Sequence, residues 1–185
     1  MIRMWLSLGT GALLIALAGQ AQGAMTVIGG GKAEACSHAA LAGETDHKYQ
    51  KICTEALETE FLVSRDRAGT FINRGVLKLR AGSYAEASRD FDQAARLMPQ
   101  MGEAYVNRGA ASIGRHQYAE SLADLNKALE LGIEEPAKAY YNRALAYEGL
   151  DDMKAAYFDY QKAVELMPDW DAPKAQLVRF SVSQR

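Results

Sequence analysis

Cysteine, histidine and proline are scarce in this chain, with two, three and four copies among 185 residues. His38, His47 and His116 stand far apart, and no Ser/His/Asp arrangement or phosphate-cradling loop forms around them, so the sequence offers no catalytic constellation. An excess of positive charge is also missing. Lys and Arg total 21 against 23 Asp and Glu, a formal charge of -2, and the two signs are interleaved. Nucleic-acid binding normally needs a clustered basic stripe, which is absent. The one glycine cluster, Gly29-Gly30-Gly31, lacks the strand and helix that a phosphate loop requires and reads as a linker. Adjacent carboxylates such as Glu134-Glu135 and Asp151-Asp152 fall at turns and read as solvated. Neither an enzyme, a cofactor nor a metal is expected.

A long apolar run occurs once. Arg3 gives a basic start, Trp5 to Ala18 is mostly apolar, and Gly19 to Ala24 is small and polar, which is the layout of a secretory signal peptide. The run is shorter than the roughly 20 apolar residues that span a bilayer. Residues 1–23 are therefore expected to be a cleaved signal, with cleavage after Ala21 or Gly23. The expected location is the periplasm, with secretion as the alternative, and membrane contact arises only through an uncleaved signal.

Export carries Cys36 and Cys53 into an oxidising compartment. Gly43-Glu44-Thr45-Asp46 reads as a turn, and the two cysteines lie seven residues to either side of it. Equal distances from the turn of an antiparallel helix pair bring two side chains level, as a disulfide needs. A zinc site with His38 and His47 is disfavoured by helical phase. At about 100° per residue, His38 is turned about 200° from Cys36 and His47 about 240° from Cys53.

What the chain has in abundance is repetition. Asn73-Arg74-Gly75, Asn107-Arg108-Gly109 and Asn142-Arg143-Ala144 recur 34 and 35 residues apart. Units 68–101, 102–136 and 137–170 then align almost without gaps. An aromatic holds the fourth place (Phe71, Tyr105, Tyr140) and a small residue the eighth (Gly75, Gly109, Ala144). Ala87, Ser121 and Ala156 hold the twentieth, with Phe91, Leu125 and Tyr160 at the twenty-fourth and leucine at the thirtieth. Small residues opposite large ones let two antiparallel helices approach closely. Arg74, Arg108 and Arg143 each precede an aspartate by 16 residues (Asp90, Asp124, Asp159), a spacing that suggests a bidentate rung in every unit.

The pattern resembles the tetratricopeptide repeat family over about residues 68–170. Pro99 and Pro168 fill the family's turn position, while Gly132 and Pro136 do the turning in the middle unit. Gly82 matches its loop glycine, from which His116 and Asp151 depart. The resemblance implies an all-α fold, a right-handed α-solenoid of stacked antiparallel helix pairs. Residues 24–32 are expected as a flexible linker, 33–67 as a divergent N-terminal hairpin, and 171–185 as a closing helix in which Leu177, Val178 and Phe180 cover the last repeat.

The same resemblance places the first helix of each unit along a concave groove. Its expected binding residues are Ile72, Asn73 and Val76; Val106, Asn107 and Ile113; and Lys138, Tyr141, Asn142 and Leu145. An amide carries a donor and an acceptor, so the Asn73, Asn107, Asn142 series can pair with both N–H and C=O of an extended peptide. The apolar members supply an exposed strip or are covered by neighbouring helices or an N-terminal segment. The family's carboxylate clamp for chaperone tails is not reproduced, because Ile72 and Val76 stand where a lysine and an asparagine are expected, and Asn142 replaces a cation. The expected partner is a protein or peptide, with neither nucleic acid nor a small-molecule substrate. The expected role is a non-catalytic interaction module, the alternative being a scaffold or self-associating component of an envelope complex.

Overall fold

Each repeat unit closes where a small side chain lets a large one through. In the computed structural model, which describes residues 3–6, 23–27 and 31–183, an added Cβ on Gly75 would stand 2.5 Å from the Phe91 ring, and one on Gly109 would stand 2.9 Å from Leu125. The unit-forming pairs are α3 (Ser64–Arg80) with α4 (Tyr84–Leu97), α5 (Gly102–Gly114) with α6 (Tyr118–Leu131), and α7 (Pro136–Gly149) with α8 (Met153–Leu166). Ahead of them lie α1 (Lys32–Leu41) and α2 (His47–Thr59), and α9 (Asp171–Leu177) follows. The first unit's helix begins at Ser64, four residues before the sequence alignment starts it at Ala68.

The loops inside the hairpins are built alike. Gly43, Gly82, His116 and Asp151 all sit at left-handed φ, between 59° and 78°. The residue after each donates its N–H five residues back: Glu44 to Ala39, Ser83 to Lys78, Gln117 to Ser112 and Asp152 to Tyr147, at 2.9–3.0 Å. This pairing satisfies carbonyls that a helix end leaves open. His116 and Asp151 therefore adopt the turn that glycine adopts in the first unit. Gly132, at φ 74°, ends α6, and Pro136 starts α7 at a position where its missing N–H costs nothing.

Units stack through aromatic rings laid on glycine. The Tyr84 ring occupies the space a side chain on Gly114 would need, and Tyr118 does the same at Gly149. Ile72, Val76, Ala104 and Ala110 join one core across the first two units, and Val106, Ile113, Tyr141 and Leu145 join another across the last two. Cys36 and Cys53 are joined, both fully buried, with Cα atoms 5.0 Å apart, the pairing expected from their equal spacing about the turn. The N-terminus of α1 lacks a side-chain cap of its own; Glu60, beyond the end of α2, accepts from the N–H groups of Lys32 (2.5 Å) and Ala33 (3.2 Å).

Two expectations need correction. The closing helix does not run over 171–185: α9 stops at Leu177, and β2 (Phe180–Ser183) pairs antiparallel with β1 (Arg3–Leu6). Phe180 still covers the last unit, buried against Tyr160 and Tyr157. Residues 24–27 are not a free linker, because they lie hydrogen-bonded across the helices, as described below. Most of the expected signal peptide lies outside the described residues, as do residues 28–30 of the expected linker.

Candidate functional site: an asparagine ladder holding an extended segment

Asn73 and Asn107 occupy the same place on α3 and α5, and both are fully buried. Asn73 Oδ1 accepts from the Met25 N–H at 2.7 Å, and its Nδ2 donates to the Met25 carbonyl at 2.8 Å. Asn107 treats Gly23 in the same way, at 3.3 and 2.9 Å. Each amide thus pairs with both polar groups of one residue, and alternate residues are taken by successive units. That is the period at which an extended chain turns the same edge to one side. Ser37 of α1 extends the grip, donating to the Met25 carbonyl at 2.8 Å and accepting from the Val27 N–H at 3.2 Å. Residues 23–27 therefore form a strap along the groove, running from the second unit back to the N-terminal hairpin.

The strap is fitted by shape as well. An added Cβ on Gly69 would stand 3.1 Å from Val27 and 3.5 Å from Met25, so this groove residue is small where the strap comes closest. Met25 packs with Ile72 and Val76, Ala24 with Cys36 and Leu77, and Val27 with Ala33 and Ala56. Asn142, also fully buried, lies one unit beyond Gly23, the described end of this stretch of chain.

The apolar residues expected along the groove are not an open strip. Ile72, Val76, Val106, Ile113, Tyr141 and Leu145 are all 5% exposed or less. The reason is that the first helices of successive units touch one another, α3 with α5 and α5 with α7, and these side chains fill the joints. Lys138 stays half-buried and pairs with Glu135 at 2.5 Å. Polar groups presented at the strap, rather than apolar area, distinguish this surface.

The arginine next to each ladder asparagine ties the units together. Arg74 donates through Nε and Nη2 to Asp90 at 2.9 and 2.6 Å, Arg108 to Asp124 at 2.8 and 2.6 Å, and Arg143 to Asp159 at 2.7 and 2.9 Å. The remaining Nη1 reaches back to the preceding hairpin, to Thr54, Asp92 and Asn126 respectively. Each guanidinium also lies over the aromatic three residues earlier, Phe71, Tyr105 or Tyr140, at 5.1–5.5 Å. Hydrogen bonding to the aspartates holds Arg108 and Arg143 above the ordinary arginine value, against the pull of burial. The rung expected from the 16-residue spacing forms in all three units.

Sequence reasoning allowed for an N-terminal segment over the groove but did not locate the strap, since a five-residue stretch carries no period, and it missed a network at the far end. Glu148, 8% exposed, accepts from the Tyr160 hydroxyl at 2.6 Å and from Arg179 Nη2 at 2.8 Å. Burial, then the neighbouring Glu148 carboxylate, pushes the Tyr160 phenol well above its usual value. Burial also raises Tyr141, whose ring lies 4.8 Å from Trp170. These contacts fasten α9 and the chain after it to the last unit. Among the described residues no group of three or more His, Cys, Asp or Glu is placed to hold a metal ion. No described helix is long and apolar enough to cross a membrane.

Residues 137–169, the third unit, match the family model described as "Tetratricopeptide repeat". The third unit is matched as a tetratricopeptide repeat, and the chain has the tetratricopeptide-repeat fold. Its helix pairs are similar to those of solved tetratricopeptide-repeat structures. MamA 41-end from Desulfovibrio magneticus RS-1 superposes with a TM-score of 0.63 at 23% identity, covering 82% of this chain and 84% of that one. The Arabidopsis OM64 TPR domain gives 0.59 at 23% identity, covering 63% and 96%. The first TPR of Spaghetti (RPAP3), bound to the HSP90 peptide SRMEEVD, gives 0.58 at 24% identity, covering 62% and 90%. No curated protein matches the sequence.

Proposed function

We propose that this chain of tetratricopeptide-repeat fold is a non-catalytic interaction module of the cell envelope that holds an extended peptide or protein segment in its groove. The observation that supports it most is the ladder: Asn73 and Asn107 each pair with the N–H and the C=O of one residue of an extended segment. Such contacts use the backbone alone, so they suit any chain that enters extended. A similar fold, the first TPR of Spaghetti, was solved with a peptide bound. The chaperone-tail clamp is not part of the proposal, because Ile72 and Val76 are fully buried apolar residues where that clamp needs polar ones. Export to the periplasm is supported by the signal-like start of the sequence and by the buried disulfide, a bond that persists in oxidising compartments.

Pull-down from an envelope extract tests the reading, comparing the native chain with Asn107→Ala and Val106→Asp, each checked for native helicity by circular dichroism. Both changes are expected to lose a partner that the native chain retains. Retention of every partner by both folded variants would show that binding occurs elsewhere, on the convex face or the ends.

A further inference from the structure

The strap fills the groove unevenly. At Met25 and Val27 its side chains are packed, but at Gly23, two residues on and on the same edge of the extended chain, there is no side chain at all. Among the described residues, a Cβ built on Gly23 meets nothing nearer than Glu103 Cγ, at 4.0 Å. Beside it is a cavity of about 390 Å³ whose apolar lining comes from Met25, Met98, Met101, Val106 and Ile133, while Arg65, Gln100, Glu103, Glu134, Glu135 and Lys138 add polar and charged groups. That volume lies within the range of ligand pockets, and flexible methionines adapt to apolar side chains of different shape. Charge at the rim is partly neutralised within the rim itself, by Lys138 on Glu135.

Building on the groove reading above, we infer that the partner is an extended peptide in the strap's register, carrying a large apolar residue in the place of Gly23. That side chain enters the cavity between the loop after α4 and the loop after α6, while its backbone pairs with Asn107. Two residues earlier, the peptide reaches the level of Asn142. A second copy of this chain is not the fitting occupant, because its own segment brings glycine to the same place and leaves the cavity open. The strap is thus an under-filled occupant that a better-filled segment displaces.

Two labelled heptapeptides decide the point, one with the sequence of residues 21–27 and one with Gly23→Leu, titrated by fluorescence anisotropy. The receptor is the full chain with Met25→Pro, which removes the N–H that Asn73 accepts and unseats the strap. The leucine peptide is expected to bind about tenfold to a hundredfold tighter, the range for burying one such side chain, and to lose that gain with Ile133→Ala. Equal binding of both peptides, abolished in each case by Asn107→Ala, would overturn the cavity inference and leave the groove reading intact. Binding of neither would overturn both. The native chain provides a second arm: Gly23→Leu alone is expected to raise the thermal midpoint by several degrees, and an unchanged or lower midpoint overturns the inference.

Discussion

Asp90 accepts from Arg74 Nε and Nη2 and from Lys78 Nζ, the last at 2.9 Å, while only 5% of its side chain meets solvent. Among the described residues the equivalent Asp124, 13% exposed, answers Arg108 alone. Removing one partner of a buried pair leaves the other charge without compensation, which costs about 3–5 kcal/mol. Asp90→Ala is therefore expected to lower the urea unfolding free energy by about that amount, and Asp124→Ala by clearly less, because water reaches its arginine more readily. The Arg–Asp part of each rung was readable, since the two residues keep one spacing through three copies. Its third partner was not: Thr54, Asp92 and Asn126 sit at separations of 20, 16 and 17 residues and differ in chemistry.

Among the elements, the inter-helix turns show how one backbone geometry accepts unlike residues. Gly82 takes its left-handed φ at no steric cost, while His116 and Asp151 take theirs against the clash between Cβ and the carbonyl. His116→Gly is expected to stabilise the protein by about 1 kcal/mol, partly offset by the greater freedom of glycine in the unfolded chain. A urea titration checks it, and Gly82→Ala should move the midpoint the other way. The sequence showed that these loops form, because the flanking repeats fix their ends. It misjudged the C-terminus, where Leu177, Val178 and Phe180 suit a helix face or a strand equally in so short a run. In the unprocessed chain, pairing of Phe180–Ser183 with Arg3–Leu6 favours the strand, and only the folded chain brings those segments together.

For the whole molecule, the ends matter as much as the repeats. The N-terminal strap lies across two units and the first hairpin, and the Glu148–Tyr160–Arg179 network closes the last unit. The second closure carries a pH signature. Native Tyr160 keeps its proton above the ordinary value of 10.0, whereas the unfolded chain releases it near that value. The native state then binds more protons than the unfolded one, so stability is fully present below about pH 10 and falls as pH rises beyond it. Urea titrations from about pH 8 to pH 11 should show that fall, and Tyr160→Phe should reduce its slope. Tyr141, shifted in the same direction, contributes to the part that remains.

The proposed export bears on the other end: cleavage after Ala21 would keep Gly23 on Asn107, whereas cleavage after Gly23 would remove that rung. N-terminal sequencing of the protein recovered from a periplasmic fraction checks this proposal and is expected to find Gln22 first. By itself the sequence determined the repeat length, the small-on-large packing, the Arg–Asp rungs and the cysteine pair, because each depends on residues at fixed, short separations that recur or mirror one another. What occupies the asparagine ladder was decided only by the tertiary structure. Gly23 and Met25 meet their partners across 84 and 48 residues. The amides contact backbone alone, and a contact made to backbone leaves no mark in the order of side chains.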